Sequence, residues 1–429
     1  KTSFLTSKSI IIKLNLESCI LLSWCLFKRG KHQQQQEGVW GSCCETHTIR
    51  KWSLNLTMFG FTTASWVLVL ISSLLQNHAE AFVNGSRNIK ICHPYQASRL
   101  LENAQAKGNT IDVGPKTDIS VENYQHKSFK LTYLYKRAAP GRENDRPIIL
   151  IHPIGIGLSS WFWKRVMESY NDNPPIFAPD LIGCGLDHGA GAWCPKENGL
   201  FFPLSWVEGV ETLMNTIVIP RWKESQSPLS SLSRVFGDNR SNSSSGGCLV
   251  IAQGGLAPVG IVLAKRNPFQ VEKFMLTSPQ TYEDVTTAVP EPELQKNYNF
   301  LCSPILGGLA FALLESREVI KFFSNLFLFQ DVCDEQWLDE TQGELCKDAR
   351  TPVQAFNAGL LQHRSFEDDL KEMPQSLLVV SGKGDKRVSG RQLYQSELDK
   401  CTLTTIGGLN VLPWENPTGV VDLIKELGY

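Results

Sequence analysis

No histidine follows His363 in this 429-residue chain, and residues 249–258 contain no serine, cysteine, threonine or aspartate. The first absence removes every imidazole from residues 364–429, and the second strips one Gly-rich corner of any side chain able to attack a carbon. Charge is nearly balanced, with 42 Lys and Arg against 43 Asp and Glu for a net charge of -1. Such a surface has no field for gathering nucleic acid or anionic lipid, so neither is expected as a partner. The twelve cysteines form no CxxC pair and no Cys/His ligand spacing, which argues against a zinc site or a thioredoxin-like motif and implies no metal or cofactor.

The first 123 residues carry addresses rather than fold signals. Residues 1–57 hold the run Gln33-Gln34-Gln35-Gln36 and the pair Cys43-Cys44 without sustained periodicity, and are expected to be an untranslated or disordered extension. From Met58 the pattern changes. Residues 64–75 are apolar but too few to span a bilayer, and Ala79-Glu80-Ala81 supplies an A-x-A cleavage signal, so 58–81 reads as a signal-peptide-like segment with no stable membrane span in the mature protein. Residues 82–123 open on Phe82, are basic and hydroxyl-bearing, and hold no acid before Glu102; they read as a transit-like and linker segment. A signal segment followed by Phe and an acid-poor stretch resembles the bipartite leaders that route proteins into plastids of secondary origin. Secretion is the alternative, with glycosylation sequons at Asn84-Gly85-Ser86 and Asn242-Ser243-Ser244.

The body of the chain alternates strands with helices. Phe129, Leu131, Tyr133 and Tyr135 alternate with polar neighbours, as in a half-buried strand. Continuously apolar runs at 147–152, 176–179, 249–253, 272–278 and 377–382 suit strands covered on both faces of a parallel sheet, and 401–406 suits a last one. Helices are expected at 161–170, 205–222 and 417–427. Residues 225–247, rich in Ser, Asn and Gly, read as a disordered insertion. Residues 289–370 have helical stretches and no strand signal, so they are expected to form a helical cap between the sixth and seventh core strands.

Taken in order, the motifs of residues 124–429 resemble the α/β-hydrolase superfamily: Ile151-His152-Pro153 before an I-G-x-G loop, Pro179-Asp180-Leu181-Ile182-Gly183-Cys184-Gly185, the corner Ala252-Gln253-Gly254-Gly255-Leu256, Gly382-Lys383-Gly384-Asp385, and Gly408-Leu409-Asn410 followed by Glu415-Asn416-Pro417. The closest resemblance is to uncharacterised plastid and cyanobacterial members. It implies an α/β fold with a doubly wound, mostly parallel sheet. It also places Gly254 at the nucleophile, Asp385 at the acid and Asn410 at the histidine of the triad, with the backbone of Ile154 and Gly255 as oxyanion-type donors. Glycine cannot attack, and an asparagine amide cannot take a proton near neutral pH. Losing nucleophile or base alone costs on the order of a millionfold in rate. The expectation is therefore a catalytically degenerate protein that binds a small apolar ligand or a protein partner.

Two other readings stay open. A serine-independent hydrolase or lyase could use Asp385 with His152, His188 or His363, and a scaffold could work through its Ser-rich insertion. His152, Trp161 and His188 are the candidates for a ligand pocket, with Phe162 and Trp163 beside them. Cys184 and Cys248, near strand ends, are read as buried, inert thiols.

Overall fold

The computed structural model describes residues 118–185, 202–226, 246–303, 306–345 and 349–429. The extension, the leader, His188 and most of the insertion at 225–247 lie outside these residues.

Eight strands form one sheet: β1 (Ile119–His126), β2 (Phe129–Lys136), β3 (Ile148–Ile151), β4 (Ile176–Pro179), β5 (Cys248–Gln253), β6 (Val271–Thr277), β7 (Ser376–Gly382) and β8 (Cys401–Ile406). Their order across the sheet is β1-β2-β4-β3-β5-β6-β7-β8. The β1–β2 and β2–β4 pairs are antiparallel, and every pair from β4 to β8 is parallel.

The alternation of side chains splits the core into two layers. Ile149, Ile151, Val250, Ala252 and Leu276 face one layer with Val207 and Val210 of the helix Phe202–Leu213 and Val259 and Leu263 of the helix Ala257–Arg266. Ile148, Leu150, Leu249, Ile251 and Met275 face the other, against Val166 and the C-terminal helix Pro417–Glu426. Both faces are covered, which is why these strands carry no polar alternation.

Between β6 and β7 the described residues form helices only, among them Glu291–Leu301, Leu306–Leu314, Arg317–Phe323, Glu335–Gly343 and Arg350–Asn357. The apolar stretch beginning at Leu306 falls into two helices, Leu306–Leu314 and Arg317–Phe323. It breaks at Glu315, whose carboxylate pairs with Arg350. β1 starts at Ile119, five residues before Tyr124, and pairs along its whole length with β2. No helix among the described residues is long and apolar enough to cross a membrane.

Candidate functional site

β5 runs into a tight corner. Gln253 is extended, Gly254 turns to φ +61°, and a short 3-10 turn, Gly254–Leu256, feeds the helix Ala257–Arg266. An L-residue in that left-handed region is strained by about 1–2 kcal/mol, whereas glycine enters it freely. A Cβ at Gly254 would meet nothing within 4 Å. The corner thus keeps the bend that presents a side chain and has no side chain to present. Gly255 differs, because a methyl there would overlap the ring of Phe356, near the end of the cap helix Arg350–Asn357.

The loop after β8 is tied both to the corner and to the cap. Buried Gln253 donates from Nε2 to the Asn410 carbonyl at 2.7 Å and accepts the Thr277 hydroxyl at 2.5 Å. The N–H groups of Asn410 and Val411 donate to the Leu328 carbonyl at 3.0 and 3.3 Å. Glu415 accepts the N–H groups of Gln330 at 2.6 Å and Leu409 at 2.8 Å, although burial raises its carboxyl pKa. These bonds hold the Gly408–Asn410 backbone firmly, yet the side chain they place is an amide.

Asp385, at the end of β7, is only 7% exposed and its carboxylate is fully engaged. It accepts the Arg387 backbone N–H at 2.9 Å and the Arg387 side chain at 3.1 and 3.2 Å, and pairs with Arg391 Nη1 at 2.9 Å. Burial pushes its pKa up, but the Arg387 hydrogen bonds and the Arg391 charge outweigh burial and hold it below the ordinary value. Arg391 is wholly buried; it donates from Nε to the Pro279 carbonyl at 2.5 Å and from Nη1 to Ser381 Oγ at 3.1 Å. Burial lowers its pKa to about 10, with the Asp385 charge opposing. Asp385 is the counterion of two arginines. Sequence reading singled out neither arginine; the available signal was the pair of basic residues two and six positions beyond the acid.

The histidine alternatives fare differently. His152 is fully buried, donates from Nδ1 to the Pro153 carbonyl at 2.7 Å and accepts the Leu181 N–H at Nε2 at 3.1 Å. Burial lowers its pKa, with the Asp180 charge opposing. Both ring nitrogens are engaged, Nδ1 with the neighbouring Pro153 and Nε2 with the loop at Leu181. His363 is half-buried, with Nδ1 at 3.0 Å from the Leu360 carbonyl. Trp161 packs in the core: its Nε1 donates to the Gly157 carbonyl, and its ring stands edge-on to Trp337 and Trp414 at 5.3 and 5.1 Å. Cys184 and Cys248 are buried; burial raises both thiols, Cys248 to about 12, so neither forms a thiolate near neutral pH. The oxyanion-type loop is closely covered, since a methyl at Gly157 would strike the Thr341 carbonyl of the cap, and Ile154 packs in the same apolar layer as Ala252 and Leu256. Two cavities lie elsewhere, of about 10 Å³ beside Ile156 and Phe311 and about 90 Å³ beside Tyr135 and Trp222, and neither is lined by Gly254, Gly255, Asp385 or Asn410.

No family model matches the chain, and no curated protein matches it either. Solved structures do. Wild-type Cfl2 from Burkholderia cenocepacia superposes with a TM-score of 0.52 at 17% identity, over 73% of this chain and 97% of that one. The chain has the α/β-hydrolase fold. Looser likenesses are a serine hydrolase from the polyaromatic-hydrocarbon-degrading bacterium Cycloclasticus zankles (17% identity, 72% and 96% coverage, TM-score 0.48) and the haloalkane dehalogenase DbeA from Bradyrhizobium elkani (14%, 72% and 96%, 0.46). At these identities the likeness concerns architecture alone. Within the α/β-hydrolase fold, Gly254, Asp385 and Asn410 follow β5, β7 and β8, which run parallel and end on one edge of the sheet.

Proposed function

We propose that this chain is a catalytically degenerate α/β-hydrolase-fold protein, a pseudo-hydrolase that works by binding a small apolar ligand or a protein partner. The observation that carries the reading is the corner itself: Gly254 holds the left-handed turn with open space around it and no nucleophile in that space. Asn410 and the twofold pairing of Asp385 with arginine support it, as do the two committed nitrogens of His152. Oxyanion-type donors and binding alone give roughly a thousandfold to ten-thousandfold over water, too little for a working esterase.

The test is a screen of the unmodified protein against short-chain and long-chain acyl esters, together with labelling by a fluorophosphonate probe. Neither turnover nor labelling is expected. Sustained turnover that survives repurification would overturn the reading. We further propose a plastid address, supported by the leader pattern at 58–123. The full chain fused to a fluorescent protein should enter a plastid of secondary origin, and accumulation in the medium would favour secretion instead.

A further inference from the structure

The larger of the two cavities lies at the edge of the sheet away from Gly254. β2 runs antiparallel to β4, so Tyr135 near the end of β2 stands beside Phe177 at the start of β4. There, at the amino ends of β3 and β4, a cavity of about 90 Å³ opens between Tyr135 and Trp222, with Phe177 and Val218 as a buried apolar floor. Gly254, Asp385 and Asn410 follow the carboxyl ends of their strands and take no part in it.

Both aromatic walls are fixed by contacts of their own. The Tyr135 ring lies 4.9 Å from that of Phe177 and 5.0 Å from the Arg221 guanidinium, which Glu122 pins at 2.6 Å. Trp222, on the helix Ile219–Ser225, donates from Nε1 to the Asn144 carbonyl at 3.0 Å. Walls held in this way need little ordering when a ring enters. Three charged residues line the same cavity: Arg137, Arg221 and Glu143. Arg221 is paired with Glu122. Arg137 and Glu143 are exposed, and among the described residues neither side chain makes an ion pair or a hydrogen bond. The Arg137 backbone is nonetheless held, its carbonyl accepting Asn173 Nδ2 at 2.8 Å. One cation and one anion at the rim of an aromatic slot suit a ligand that carries a ring and both charges. Size narrows the class further. A void on the order of 150 Å³ accepts a whole benzene, so this smaller one takes a single six-membered ring partway and leaves its substituent at the rim.

We propose that this cavity binds a free α-amino acid with one aromatic ring, of the phenylalanine or tyrosine type. The ring lies between Tyr135 and Trp222, the carboxylate is drawn to Arg137 and the ammonium to Glu143. The site is independent of the pseudo-hydrolase reading, because turnover at the Gly254 corner, present or absent, has no bearing on it.

The test uses the full chain, with phenylalanine as the probe and ligand-observed NMR as the titration. Phenylalanine should bind with a Kd on the order of 1 mM. Alanine keeps both charges and lacks the ring, and it should not bind. Phenylacetate and phenethylamine each lack one charge and should bind about threefold more weakly, the size expected of an exposed ion pair. Arg137→Gln should weaken phenylalanine and phenylacetate about threefold and leave phenethylamine unchanged. Glu143→Gln should weaken phenylalanine and phenethylamine to the same degree and spare phenylacetate. Both positions are exposed and tie nothing down, so neither variant threatens the fold. Phenylalanine should also move the indole N–H resonance that Trp222→Phe removes. The proposal is overturned by no binding of phenylalanine at about ten times the expected Kd, by equal binding of alanine, or by charge variants that treat the three aromatic ligands alike. A resonance shift confined to other tryptophans is equally fatal.

Discussion

Asp385 is held in place by charge, its carboxylate pairing with Arg387 and with the buried Arg391. It faces a guanidinium with no exposed surface, and leaving such a buried charge unpaired is costly. Asp385→Asn keeps the shape and removes the charge, so it should cost about 3–5 kcal/mol at neutral pH. The folded protein holds the Asp385 pKa below the usual value near 3.8, so its contribution is complete above that value and is lost as pH falls through the lowered folded pKa. Urea denaturation of both proteins should give a wide gap at pH 7 that narrows below pH 4. A gap that stays constant on acidification would mean that the carboxylate charge is not what stabilises Arg391. Gly254 and Asn410 were legible in the sequence because identity alone excludes their chemistry. Arg391 was not, because its pairing depends on a helix turning it beneath Asp385.

Strands buried on both faces announced themselves, whereas an edge strand without an apolar series did not. β3, β4, β5, β6 and β7 fall where apolar runs placed them, within a residue or so. β1 was missed: as an edge strand it shows Val121 and other side chains to water, and Ile119-Ser120-Val121-Glu122-Asn123 has no inward apolar series to detect. The aromatic run at Trp161 packs against rings from distant segments. Trp337, from the cap, and Trp414, from the segment after β8, both stack edge-on against it, and Trp337 also meets Phe329 at 5.0 Å. These rings join cap, sheet and C-terminal segment, which lie far apart in sequence and could not be paired from spacing. Trp337 is 1% exposed and its Nε1 donates to Ser324 Oγ at 2.9 Å. Trp337→Ala should therefore cost about 3–5 kcal/mol through the cavity it leaves. Chemical denaturation measures it, and a loss under about 1 kcal/mol would show that the cap is held to the sheet by something else.

At the scale of the molecule, the extent of the folded unit follows from what closes the sheet at β1. Tyr124 and His126 alone would leave the β2 edge open along most of its length, since Ile119 to Asn123 pair with Lys136 to Thr132. Glu122 adds a specific tie: its carboxylate accepts the Tyr133 hydroxyl at 2.5 Å and Arg221 at 2.6 Å, and the Arg221 hydrogen bond, with that of Tyr133, draws its pKa below the ordinary value against the pull of burial. Arg221 lies on the helix Ile219–Ser225, so the strand that looked like linker clamps a helix to the sheet. A chain beginning at Asp118 should melt cooperatively and close to the full chain. One beginning at Tyr124 loses five strand pairs and the Glu122 tie, and should melt several degrees lower and associate through the bared edge. Thermal melts and sedimentation of the two fragments separate the outcomes. Equal melting temperatures with both fragments monomeric would return the boundary to Tyr124 and reduce β1 to an ornament of the sheet.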